Sequence, residues 1–272
     1  MLCESYETTR ITTDSLEGER LARIIAFANQ KGGVAKTTTT LNLGVAFQEL
    51  GHRVLAVDLD PQGNLTMSLG LNPDLVRPSM YDVLVNGVAI QRVIHERELD
   101  VAVSSIDLAA AEIALSSLIG RERVLSKALM PIGDRYDYIF IDTPPSLGLL
   151  TVNALTAAHA VIIPVQCEYL SLRGLAQLER TLELVRENLN PEVHIAGIVP
   201  TMYDGRTVHG REAVEVLRSS FGDLVFKTTI GKTIKFAEAP VKGESVLKYA
   251  PDSRAAEAYR QLAREVLDGK KT

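Results

Sequence analysis

The residues with the clearest chemical purpose lie at 28–40, which read A-N-Q-K-G-G-V-A-K-T-T-T-T. A short apolar run precedes them and a helical pattern follows. In that setting successive backbone N–H groups and a helix N-terminus converge on an anion. Gly32 and Gly33 carry no Cβ, so the backbone can approach phosphate oxygens closely. Lys36 is placed to reach the β- and γ-phosphates of a nucleotide, Thr37 to offer its hydroxyl to Mg2+, and Thr38 to bond the α-phosphate. Two carboxylates extend the constellation. Asp60, in V-D-L-D-P-Q-G-N at 57–64, follows an apolar run and suits the orientation of an attacking water and support of Mg2+ through water. Asp142 ends the run Y-I-F-I-D at 138–142, ahead of T-P-P-S, and suits the outer shell of the same ion. Asp58 fits either a ligand-facing role or a cap on its own turn.

The loop departs from the common G-x-x-x-x-G-K-[ST], which needs glycine at positions 30 and 35. Gln30 and Ala35 stand there, and a second lysine, Lys31, opens the glycine pair. A methyl group at position 35 is harmless if φ is negative and costly if the loop requires φ > 0. The expectation is that nucleotide binding survives and only rates change.

Positioning such groups takes a particular scaffold. Apolar runs recur at 23–28, 53–58, 99–103, 138–142, 160–165, 193–199 and 224–228. Several are continuous rather than alternating, as expected of strands covered on both faces of a parallel sheet. Helical patterns lie between them, at 38–50 before Gly51, at 171–189 before Asn190-Pro191, and at 253–267. The alternation predicts an α/β, doubly wound domain with a mostly parallel sheet flanked by helices over 21–272. Residues 1–20, rich in Thr, Ser and Glu, read as a flexible extension.

Bulk properties narrow the function. The net charge is −5, but residues 201–272 hold 13 Lys and Arg against 10 Asp and Glu. A basic C-terminal face on an acidic chain and an evenly solvated mixed surface both fit that count. Two cysteines, Cys3 and Cys167, are far apart and exclude a disulfide scaffold or a one-chain zinc or iron–sulfur site. There is no apolar leader, and no run long enough to span a bilayer, so a cytoplasmic setting is expected. The five histidines are scattered without ligand spacing.

K-G-G-x-x-K-T-T resembles the deviant Walker A motif of the ParA/MinD group. The D-x-D-P-Q-G-N and D-x-P-P-S segments resemble the ParA/Soj family, as do 165–169 (V-Q-C-E-Y), 201–207 (T-M-Y-D-G-R-T) and 236–240 (F-A-E-A-P). The resemblance runs from about residue 23 to 267. It implies a P-loop NTPase fold and a slow, partner-stimulated ATPase with ATP and Mg2+ as cofactors. Lys31 would cross to the nucleotide of a second copy, making an ATP-dependent homodimer. Nucleotide contacts fall on Lys31, Gly32, Gly33, Val34, Ala35, Lys36, Thr37 and Thr38, with Met202 and Asp204 near the adenine. Catalysis falls on Lys31, Lys36 and Asp60, and the metal on Thr37, Asp60 and Asp142.

The resemblance further implies non-specific binding of double-stranded DNA by Arg206, Lys227, Lys232, Lys235, Lys242 and Lys248. It implies a ParB/Spo0J-like partner, association with the nucleoid when ATP-bound, and no stable membrane association. At 230–236 the family's I-P-R-N-x-R-L reads I-G-K-T-I-K-F, which keeps charge but loses the bidentate geometry of arginine. The apolar stripe of the last helix (Tyr259, Leu262, Ala263, Val266, Leu267) is expected to pack in the core rather than on a membrane. Two alternatives remain at this point: an ATPase that positions some other cargo, MinD-like or otherwise, and a metabolic enzyme that activates a carboxylate with ATP.

Overall fold

The computed structural model describes residues 21–167 and 172–269, without the side chains of Leu172 and Arg173. The expected extension at 1–20 lies outside the described residues. In chain order the elements are β1 (Arg23–Phe27), α1 (Lys36–Glu49), β2 (Val54–Asp58), α2 (Asn64–Ser68), α3 (Met80–Asn86), β3 (Ile94–His95), β4 (Asp100–Ala102), α4 (Ala111–Leu115) and α5 (Val124–Leu129). They continue with β5 (Tyr138–Asp142), α6 (Leu149–Ala157), β6 (Ala160–Gln166), α7 (Leu172–Asn188), β7 (His194–Thr201), α8 (Val208–Phe221), α9 (Lys235–Val241), α10 (Val246–Tyr249) and α11 (Arg254–Asp268).

The continuous apolar runs do what their pattern requires. Every residue of β2 and β5 is buried, because helices cover both faces of the sheet. Seven strands form one sheet in the order β3-β4-β2-β5-β1-β6-β7, and every described pairing is parallel except β3 with β4. In register, Asp58 faces Asp142 and Phe27 faces Asp142 from the other side, so the ends of β1, β2 and β5 meet at one point of the carboxyl edge. That edge is where open α/β sheets bind ligands.

Aromatic side chains fasten α1 to the sheet. Phe47 lies edge-on to Tyr138 and Phe140, with ring centroids 4.9 and 5.2 Å apart. The stripe of α11 is core: Tyr259, Leu262, Ala263 and Val266 are buried, and the Tyr259 hydroxyl lies 3.3 Å from Thr39 Oγ1 of α1. Ser253 caps α11 through its Oγ, and Gly51 follows α1 with φ +90°, a left-handed exit that suits a residue without Cβ.

One expectation is corrected and one strand went unforeseen. Residues 224–228 form no strand. Phe226 N donates to Ile198 O at 2.9 Å and Val225 makes one bridge, but the amides of Lys227 and Thr228 then turn to the Glu265 carboxylate at 2.6 and 3.1 Å. A side-chain acceptor on α11 takes the donors that a ladder would have used. The two-residue edge strand β3 went unforeseen, since so short a segment leaves no period to read.

Candidate functional site

The chain between β1 and α1 wraps an open cavity of about 350 Å³. It is lined by Gly32, Gly33, Ala35, Lys36, Thr37 and Thr38, by Asp60, Gln62, Asn64 and Ser68 across from them, and by Pro145 and Met202. Polar bonds fix the loop at both ends. Asn29 donates to Pro164 O at 2.8 Å and accepts from the Lys31 amide at 3.0 Å. Thr201 Oγ1 donates to Val34 O at 3.0 Å, and Val34 is buried. Ala35 O accepts from Thr39 N at 2.9 Å.

Ala35 has φ 68° and ψ 33°, a left-handed conformation. The condition on which the sequence expectation turned is therefore the unfavourable one. An L-residue pays for this region in close contact between Cβ and the following carbonyl oxygen. The bonds at Val34 and Thr39 hold the loop there.

Thr37 Oγ1 donates to Asp142 Oδ2 at 2.6 Å, while Asp142 Oδ1 is buried with no hydrogen-bond partner among the described residues. A hydroxyl beside a buried carboxylate oxygen lacking a donor fits Mg2+, which keeps waters and substrate phosphates in its shell rather than filling a protein cage. Among the described residues no group of three or more His, Cys, Asp or Glu is gathered as a metal cluster. Asp60 stands on the cavity wall with Oδ1 accepting from Gln62 N at 2.9 Å. Asp58 does not line the cavity: it is buried and accepts from Thr66 N (2.8 Å), Thr66 Oγ1 (2.6 Å) and Asp60 N (3.3 Å). It shapes the turn that carries Asp60.

The electrostatics match. Burial pushes the Asp142 carboxyl well above the ordinary range, with the facing Asp58 adding to it and Thr37 and Lys36 opposing. Burial also raises Asp60, against the Gln62 amide and Lys36. Burial lifts Asp58 to about 7. Lys36 is lowered by burial, while Asp142 and Asp60 pull it back up. Two carboxylates, Asp142 and Asp60, face one lysine, and Asp58 stands behind Asp142, an arrangement that favours an added cation.

The remaining candidates fall in different places. Lys31 is exposed, and its Nζ donates to Gln166 Oε1 at the end of β6 at 3.1 Å. Lys36 Nζ lies 3.4 Å from Lys31 O. Met202, with φ 53°, lines the cavity, whereas Asp204 is not among the lining residues. Its carboxylate is taken by Arg206 Nε and Nη2 at 2.9 and 2.8 Å, which holds it down to about 2. Lys232 stands near enough to lower Asp204 further, so Arg206 and Lys232 share one patch beside the 201–207 loop. Lys227, Lys242 and Lys248 are exposed and Lys235 is half-buried, with Lys248 paired to Glu244 at 3.0 Å. Sequence reasoning missed Ser68, which left no signal, and gave no role to Thr201, although it opens the quoted 201–207 motif. Gln62, Asn64 and Pro145 lay inside quoted motifs but had no assigned role.

Comparison with known proteins bears on this geometry. A family model described as an AAA domain matches residues 22–195. The sporulation initiation inhibitor protein Soj of Bacillus subtilis is 48% identical over 249 residues, covering 90% of this chain and 98% of that protein. The chromosome partitioning protein ParA of Caulobacter vibrioides is 44% identical over 250 residues, 90% of this chain and 94% of that one. A crystal structure from Mycobacterium smegmatis, described as a cobyrinic acid a,c-diamide synthase with bound ADP and magnesium, is 41% identical. It superposes with a TM-score of 0.81 over 93% of this chain and 98% of that chain.

Proposed function

The chain belongs to the ParA/Soj family of partitioning ATPases, and from that premise we propose that Mg-ATP closes two copies face to face, that the closed dimer binds double-stranded DNA without sequence preference, and that a ParB-like partner stimulates hydrolysis and release. One observation supports this above the others: the left-handed glycine-rich loop, Lys36, Thr37 and Asp60 share one cavity at the carboxyl edge of the sheet, with Asp142 bonded to Thr37.

Each residue then has a task. The amides of 32–38 and the start of α1 take the phosphate oxygens. Lys36, held among carboxylates, neutralises charge that develops on the transferred phosphoryl group. Mg2+ offsets phosphate charge when bound, and Thr37 with Asp142 would hold it, Asp60 lending support through water. Asp60 orients the attacking water from the opposite wall. Lys31 leaves Gln166 to reach the partner copy's nucleotide. Met202 borders the adenine end. Arg206, Lys227, Lys232, Lys235, Lys242 and Lys248 take DNA phosphates, and the chain works in the cytoplasm, on the nucleoid when ATP is bound.

The test is binding to random-sequence duplex with ATP, with ADP and without nucleotide, across a salt series. Tight binding only with ATP, falling steeply with salt, is expected. Lys232→Glu with Lys235→Glu is expected to abolish it and leave ATP affinity unchanged. No binding in any state would overturn the DNA role. A second reading, activation of a carboxylate with ATP, draws on the name of the Mycobacterium smegmatis relative. ATP turnover that requires a small carboxylate acceptor would favour it.

A further inference from the structure

Resting on the DNA-binding reading, we infer that residues 235–249 are the element through which occupancy of the phosphate cavity is felt at the lysine-bearing face, with Asn42 as the positioning residue that joins the two. Asn42 is buried in α1, one turn beyond Thr38 of the cavity wall. Its Nδ2 donates to Thr38 O at 2.7 Å, and its Oδ1 accepts from Val246 N, the first residue of α10, also at 2.7 Å. One amide group therefore ties the phosphate-binding turn of α1 to the start of α10.

A second tie comes from the Asp60 side. The turn after Asp60 leads into α2, whose Ser68 lines the cavity and also borders a narrow crevice with Asn42, Phe236, Ala239, Pro240 and Val246. Beyond α2, Gly70 meets Gly243, which follows α9. A Cβ added at Gly243 would stand 3.0 Å from Gly70 Cα and 3.1 Å from Gly70 N, and Gly243 has φ +70°. Only glycine lets the two backbones touch there. The segment held by these two ties carries Lys235, Lys242 and Lys248. A shift of the turn at Thr38 or of α2 when phosphates arrive is thus delivered to three of the six proposed DNA contacts through packed backbone and one bridging amide.

The test is hydrogen–deuterium exchange of the full chain, with and without a non-hydrolysable ATP analogue and Mg2+. Wild type is expected to change protection at 31–38 and also at 235–249. Asn42→Leu keeps volume but removes both bonds. It is expected to retain the change at 31–38 and lose it at 246–249. Gly243→Ala separates α2 from α9 on a less buried path and is expected to lose the change at 235–242, which decides the matter if Asn42→Leu does not fold. Dimer closure through Lys31 is left in place, so both variants are expected to lower, not abolish, the ATP-over-ADP preference for DNA, by about 5-fold, and to cut the tightening of ATP by DNA equally, because coupling is reciprocal. A merely structural role lowers Tm and leaves that ratio untouched. An unresponsive 235–249 in wild type, or full responses in both variants, would overturn the inference. Wild type that binds no DNA while its exchange response is intact would refute the DNA reading alone.

Discussion

Replacing Ala35 with glycine tests the backbone argument directly. A non-glycine residue in the left-handed region costs roughly 1–2 kcal/mol, and Ala35 sits there with φ 68°. Glycine removes that cost but adds roughly 0.5–1 kcal/mol of unfolded-chain entropy. The net is about 0.5–1 kcal/mol of added stability, or roughly 1–3 °C in Tm for a chain of this size. Bonds within the chain, at Val34 O and Ala35 O, fasten the loop, so the strain is expected in both the free and the bound state. ATP affinity of wild type and Ala35→Gly should then agree within about 2-fold, since a 1.4 kcal/mol difference is needed for tenfold. The assay is thermal unfolding of both proteins, nucleotide-free and saturated with Mg-ATP, with ATP affinity by titration calorimetry. Ala35→Val supplies the opposite perturbation: a β-branched residue at positive φ should lower Tm by more than glycine raises it. A lower Tm for Ala35→Gly would refute the reasoning. Unchanged Tm with markedly tighter ATP would place the strain in the bound loop only, against the locked geometry.

Two further outcomes follow from the same structure. Asp60→Ala should keep ATP binding, because the loop and Lys36 are untouched, and slow hydrolysis by about 10²–10⁴-fold; single-turnover hydrolysis equal to wild type would refute its role. His159 lies at the surface, its Nδ1 accepting from Ile24 N at 2.9 Å and its pKa lowered from the ordinary 6.5 by partial desolvation and the nearby Arg23, so solvent screening keeps its share of stability small. The folded state therefore binds the proton less readily than the unfolded chain, so this stability is full above pH 6.5 and is lost as pH falls below it. His159→Asn, which keeps an acceptor without titrating, should show a shallower loss of urea midpoint between pH 7.5 and pH 5, and an identical slope would refute the assignment.

Much of the site was legible because its chemistry is local. The glycine pair, Lys36 and Thr37 lie within six residues of one another, and a loop between a strand and a helix has few ways to present them. Asp142 was readable as the polar end of an apolar strand, and Asp60 as a carboxylate just past the end of another. That they meet the loop follows from the parallel order β2-β5-β1, which brings three carboxyl ends together. Ser68, and the role of Thr201 within its quoted motif, were not legible, because a serine or threonine gains its meaning only from what folds against it. The strand expected at 224–228 failed for the same kind of reason: Glu265, some 40 residues on in sequence, supplies the acceptor.

Taken alone, the amino-acid sequence determined the chemistry that the chain carries and the period of its elements, since residue type and spacing are properties of the chain itself. Tertiary structure alone decided the sign of φ at Ala35, the burial that raises Asp58, Asp60 and Asp142, and the pairing of Asp204 with Arg206. It also decided the bond from Asn42 to Val246, 204 residues away. Strain, desolvation and long-range hydrogen bonds depend on what other segments press against a residue, and a one-dimensional pattern contains none of those neighbours.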